Sequence, residues 1–109
     1  MNSDSIIVKA KLKLYSTANG GRTNGIKTGY RPNHVFEYNE NGIDFKAGYM
    51  GKICFEENQT IKPTESRTVK VKFVNGQNIN KYIELGRTWW IHEGHRKIGE
   101  AEISEIITE

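Results

Sequence analysis

Polar and apolar residues alternate along this chain with a period of two. Val8, Ala10, Leu12 and Leu14 are interleaved with Lys9, Lys11 and Lys13, the pattern of a strand buried on one face and wet on the other. Val69, Val71 and Phe73 repeat it around Lys70 and Lys72. Ile53 and Phe55 flank Cys54, which the alternation turns away from the core. Residues 35–38, 89–92 and 98–106 supply further strands; the last comes nearest to a helix, but its β-branched isoleucines favour a strand. The separators, Asn19-Gly20-Gly21, Asn41-Gly42, Asn75-Gly76 and Glu93-Gly94, are rich in residues that accept left-handed turn conformations. No stretch of ten residues keeps a helical stripe. The expected fold is therefore all-β, and closure into a barrel would remove its free sheet edges. Its expected core contains Leu12, Leu14, Ile53, Phe55, Val69, Val71, Phe73, Trp89 and Ile91.

A chain of 109 residues has room for one such domain, assigned to residues 6–109, with residues 1–5 as a disordered N-terminus and residues 108–109 as a loose end. Hydrophobic residues at 36% and charged residues at 27% fit a globular protein better than a disordered one. No apolar run approaches the roughly 20 residues of a membrane-spanning helix, and Ile6-Ile7-Val8 is too short for a signal peptide. The single Cys54 cannot form an internal disulfide, which points to a cytoplasmic protein. A net charge of +3 permits a polyanionic partner without requiring one.

Candidate chemistry is sparse. His92 and His95 bracket Glu93, but Gly94 places them in a hairpin turn where the imidazoles diverge, leaving two solvated histidines and a packed His34. No metal and no cofactor is expected. Cys54 lacks an activating base, and Glu100 and Glu102 share a solvated strand face. No glycine loop of the phosphate-cradling kind occurs, so no enzymatic activity is expected. The strand lysines, with Arg22, Lys27, Arg31, Arg87, Arg96 and Lys97 in the loops, could meet phosphates, although lysine on exposed strands also serves solubility.

Two stretches carry a more specific signal. Residues 20–32, GGRTNGIKTGYRP, resemble the Gly-Gly-Arg and Tyr-Arg-Pro segment of the C-terminal (third) domain of bacterial elongation factor Tu, with Gly20, Gly21, Arg22, Gly29, Tyr30, Arg31 and Pro32 in place. Residues 89–106, WWIHEGHRKIGEAEISEI, are similar to that family's ending through Ile91, Glu93, Gly94, Arg96 and Gly99. Pro63-Thr64-Glu65-Ser66 sits where the family has Pro-Gly-Asp-Asn. The resemblance covers nearly the whole chain, with an apparent insertion over residues 41–49. It implies a closed six-stranded antiparallel barrel that catalyses nothing and, in the full factor, supports the GTPase domain, touches the exchange factor and grips the T stem of aminoacyl-tRNA. The GTPase domain has no counterpart here.

Carried over position by position, the resemblance puts Arg22, Asn33, Glu93 and Gly94 at RNA-facing sites. Thr23 replaces a histidine, Met50 a threonine and Asn75 a lysine, so part of that set is lost. The expectation is a non-catalytic, translation-related binding module that engages a protein partner, as a mimic or competitor of the factor; the alternative is an RNA-binding module gripping a tRNA-like stem. Strand alternation also turns Thr88, Trp90 and His92 outward, and the family carries a small alanine at the Trp90 position. The Trp90 face is therefore a candidate contact surface, unless residues 41–49 fold over it.

Overall fold

The computed structural model describes residues 6–108; the expected loose N-terminus, residues 1–5, and Glu109 lie outside the described residues. The strands are β1 (Ile6–Leu14), β2 (Ile26–Lys27), β3 (Asn33–Val35), β4 (Tyr49–Cys54), β5 (Thr60–Ile61), β6 (Ser66–Phe73), β7 (Thr88–Glu93) and β8 (Arg96–Thr108). Six of them close a barrel in the order β1-β6-β4-β3-β7-β8, and every pairing is antiparallel. β2 and β5 form a separate two-stranded sheet. The only helical turns among the described residues are 3-10, at Thr17–Asn19 and Asn80–Tyr82. The all-β barrel that the alternation calls for is the fold observed.

Alternation places the core. Val8, Ala10, Leu12 and Leu14 from β1 meet Val69, Val71 and Phe73 from β6, with Trp89 and Ile91 from β7 and Ile98, Ala101 and Ile103 from β8. Phe36 lies in the middle, stacked on Trp89 at 5.3 Å and on Tyr82 at 4.8 Å between ring centroids. Such ring pairs add to the area they bury and fix the orientation of the aromatic layer.

The sequence pattern and the structure part at four places. Phe55, expected in the core, follows the end of β4 and is only partly buried against it. The strand expected over 35–38 lies earlier, at Asn33–Val35, because His34, Val35 and Phe36 are all buried and break the alternation. The chain leaves the sheet there, and Arg87 Nη2 donates to the Phe36 carbonyl at 2.6 Å. Thr108, expected loose, is the last residue of β8, paired with Ile6. Finally, His92 is not solvated. β7 runs in regular register with β3, with His92 opposite Asn33 on the outward face, and the extra residue of the β7–β8 ladder is Ile98 in β8; His92 is 1% exposed because Tyr38 and Phe45 cover it from outside.

Candidate functional site

The Gly-Gly-Arg segment reaches its position through a tight turn. Ser16 caps the 3-10 turn at Thr17–Asn19, Gly20 leaves it with φ +91°, and Gly21 passes so close to Tyr15 that a Cβ would lie 2.3 Å from its carbonyl oxygen. Only glycine fits there. The turn delivers Arg22 to the β7–β8 hairpin, where its Nη1 donates to Glu93 Oε2. Tyr30 donates its hydroxyl to the same oxygen, and Arg96 Nη2 holds Glu93 Oε1 at 3.0 Å. The Arg22 guanidinium also lies 5.1 Å from the centre of the Tyr30 ring and donates to the Asn24 carbonyl at 3.0 Å.

Both charged groups are only about a quarter exposed, with side-chain exposures of 24% for Arg22 and 27% for Glu93. Burial alone would raise the Glu93 carboxyl, but hydrogen bonds from Tyr30 and Arg96 and the charge and hydrogen bond of Arg22 hold it below the usual carboxylate range. Burial and the Glu93 carboxylate push the Tyr30 hydroxyl well above its ordinary value, so it stays a donor. Arg22, Tyr30 and Glu93 thus form a clamp that ties the 16–25 loop and the chain entering β3 to the β7–β8 turn.

Beside this clamp runs an open groove of about 640 Å³, lined by the ends of β3, β4, β6 and β7. Asn33, His92, Glu93 and Gly94, four of the residues singled out in the sequence, line it together. Met50 and Asn75 line it too, so five positions at which the resemblance implies RNA contact (Asn33, Met50, Asn75, Glu93 and Gly94) fall on one surface. Gly94 has φ +61° and turns the hairpin at its edge.

Three cations complete the lining: Arg31, Lys52 and Lys72. Lys52 and Lys72 are direct partners across the β4–β6 ladder. Met50 at 59% and Val74 at 44% are the exposed apolar side chains of the groove. Gln77 fixes their backbone, accepting from Met50 N at 2.7 Å and donating to the carbonyls of Met50 and Val74, each at 2.9 Å. From the sequence, Arg31 is read as surface charge and as part of the Tyr-Arg-Pro signature, Lys72 as surface charge alone, and neither Lys52 nor Gln77 is singled out. The cross-strand register that joins Lys52 to Lys72 links residues twenty apart, and no local pattern signals it.

His92 closes one wall. The Tyr38 hydroxyl meets its Nε2, and Phe45 packs edge-on against its ring at 4.8 Å. Its Nδ1 has no hydrogen-bond partner among the described residues. Burial lowers the His92 pKa, so the ring is neutral near pH 7, and burial pushes the Tyr38 hydroxyl up to about 12. Residues 41–49 therefore cover His92, through Phe45, rather than Trp90.

Thr88 and Trp90 stand apart from the groove. Trp90 is half-buried: the Tyr38 ring meets it edge-on at 5.3 Å, and the Lys97 ammonium sits 5.5 Å from its centre. The sequence-derived set thus divides into the groove, the Arg22 clamp behind it and a partly covered Trp90 face. Among the described residues no three of His, Cys, Asp and Glu come together to hold a metal ion, and no helix is long and apolar enough to cross a membrane. No family model matches the chain, and no curated protein matches it.

Proposed function

We propose that this chain is a non-catalytic binding module, a counterpart of the elongation factor Tu third domain, whose working face is the groove beside the β7–β8 turn. The observation that carries this reading is the convergence of Asn33, Met50, Asn75, Glu93 and Gly94 on one groove, although they are scattered along the sequence. The partner we favour is a protein, which this module engages in place of, or in competition with, the factor. Met50 and Asn75 offer neither the hydroxyl nor the charge that an RNA stem would use there, and exposed Met50 and Val74 suit an apolar contact. The same reading puts the module in the cytoplasm, where translation is carried out. Arg31, Lys52 and Lys72 favour a second reading, a tRNA-like stem held by its phosphates.

Retention experiments on immobilised protein separate these readings. The wild type and a Lys52→Glu/Lys72→Glu variant are exposed to cell extract with and without nuclease. A protein retained by the wild type, lost from the variant and indifferent to nuclease is the expected result. Nuclease-sensitive retention would select RNA, and equal retention by the variant would remove the groove from the account.

A further inference from the structure

We infer that the groove takes an extended acidic segment of a partner protein, with a carboxylate between Lys52 and Lys72 and an apolar residue against Met50 and Val74. The inference rests on the groove being the working face and adds the chemistry of its occupant.

Charge comes first. The ion pairs among the described residues are Lys9–Glu105, Arg22–Glu93 and Arg96–Glu93. None of them involves Arg31, Lys52 or Lys72. Glu93, the carboxylate of the groove wall, is already held by two arginines. The groove is therefore net positive in the free protein. Lys52 and Lys72 stand opposite each other in the ladder, where cross-strand Cβ atoms are about 5 Å apart and like charges repel. An anion between the two ammonium groups relieves that repulsion.

The apolar surface then distinguishes protein from nucleic acid. Met50 and Val74 are adjacent, since Val74 N donates to the Met50 carbonyl at 3.0 Å, and both are exposed beside the lysines. A phosphate backbone would cover them with charged oxygens, whereas a peptide can cover them with a side chain. The aromatic rings of the lining offer no open face for a base: Phe73 and His92 are buried, and Tyr30 is half-buried in the Glu93 clamp. Three cations without an ion-pair partner among the described residues are also few beside the six to ten or so phosphate contacts of a salt-sensitive nucleic-acid binder. In an extended segment, side chains two apart lie about 6.6 Å apart on one face, so alternating acidic and apolar residues present carboxylates to one side and apolar groups to the other. A segment crossing β4 and β6 between the two pairs turns its carboxylates toward Lys52 and Lys72 and its apolar side chains toward Met50 and Val74.

The test uses the full chain and three labelled ten-residue peptides, of alternating Glu and Leu, Glu and Ser, and Gln and Leu, beside an RNA hairpin. Fluorescence anisotropy is expected to show the Glu/Leu peptide binding at least tenfold more tightly than either other peptide and than the hairpin. Lys52→Glu/Lys72→Glu should weaken it more than tenfold, and Met50→Ser several-fold. Lys11→Glu/Lys13→Glu, the same charge change on exposed β1 positions, should weaken it less than threefold. Equal loss in that control, or no preference for Glu/Leu over Gln/Leu, overturns the inference. Tighter binding of the hairpin through Lys52 and Lys72 also overturns it, while leaving the groove as the working face of a binding module.

Discussion

His34 shows how one side chain can report on the whole core. It is fully buried, accepts a hydrogen bond from Trp89 Nε1 at Nδ1 (3.0 Å), and places Nε2 3.1 Å from the Gly51 carbonyl. With Nδ1 accepting, Nε2 must carry the proton, so the neutral ring satisfies both neighbours. Protonating Nδ1 would set two donors against each other. Burial lowers the pKa to about 4, against the ordinary 6.5. The unfolded chain therefore binds the proton first, and the stability that His34 contributes is complete above pH 6.5 and is lost as pH falls through 4. A displacement of this size corresponds to about 3 kcal/mol across that window. Burial of His92 acts in the same direction, whereas Glu93, with its pKa below 4.5, acts only at lower pH. Urea midpoints at pH 7, 5.5 and 4 should fall steadily for the wild type and more shallowly for His34→Gln. An unchanged slope in the variant would mean that His34 does not titrate as described. The packed His34 was legible in the sequence. The Trp89 bond that fixes its tautomer was not, because it joins residues 55 positions apart.

At the scale of elements, the alternating strands were legible and the irregular ones were not. β1 and β6 follow from their lysine and aliphatic periods, but β2 and β5 contribute two residues each and hold one sheet by a two-pair register. Sequence patterns need more length than that. His92 does face outward, as the alternation of β7 requires, but Tyr38 and Phe45 cover it there, and no pattern within β7 signals that cover. Residues 41–49 also act as an element, a strap whose Phe45 lies between His92 and His95, at 4.8 and 5.9 Å. Trp90, outside that strap, rests under Tyr38 and Lys97. Trp90→Ala should therefore cost about 1–2 kcal/mol in chemical denaturation, less than the 3–5 kcal/mol of a full core aromatic truncation. A loss near zero would show that Tyr38 and Lys97 do not cover it, and a loss above 3 kcal/mol would make it a core residue.

On the scale of the whole molecule, the barrel brings together residues that the chain keeps far apart. The motifs at residues 20–32 and 89–106 meet in the Arg22–Tyr30–Glu93 clamp, which accounts for the spacing of the Gly-Gly-Arg, Tyr-Arg-Pro and Glu-Gly elements as one structural device. Sequence reasoning placed Arg22 and Glu93 at a contact surface. The structure commits their charges to each other and leaves Arg31, Lys52 and Lys72 beside them without an ion-pair partner among the described residues. The central claim is that this groove, rather than the Trp90 face, is the surface on which the protein works. Amide shift mapping by NMR, on the full chain titrated with the Glu/Leu peptide and separately with the RNA hairpin, tests it most directly. The bound probe is expected to move the amides of Asn33, Met50, Lys52, Lys72, Val74 and Gly94. Shifts centred on Thr88, Trp90 and Lys97, with the groove amides unmoved, would contradict it.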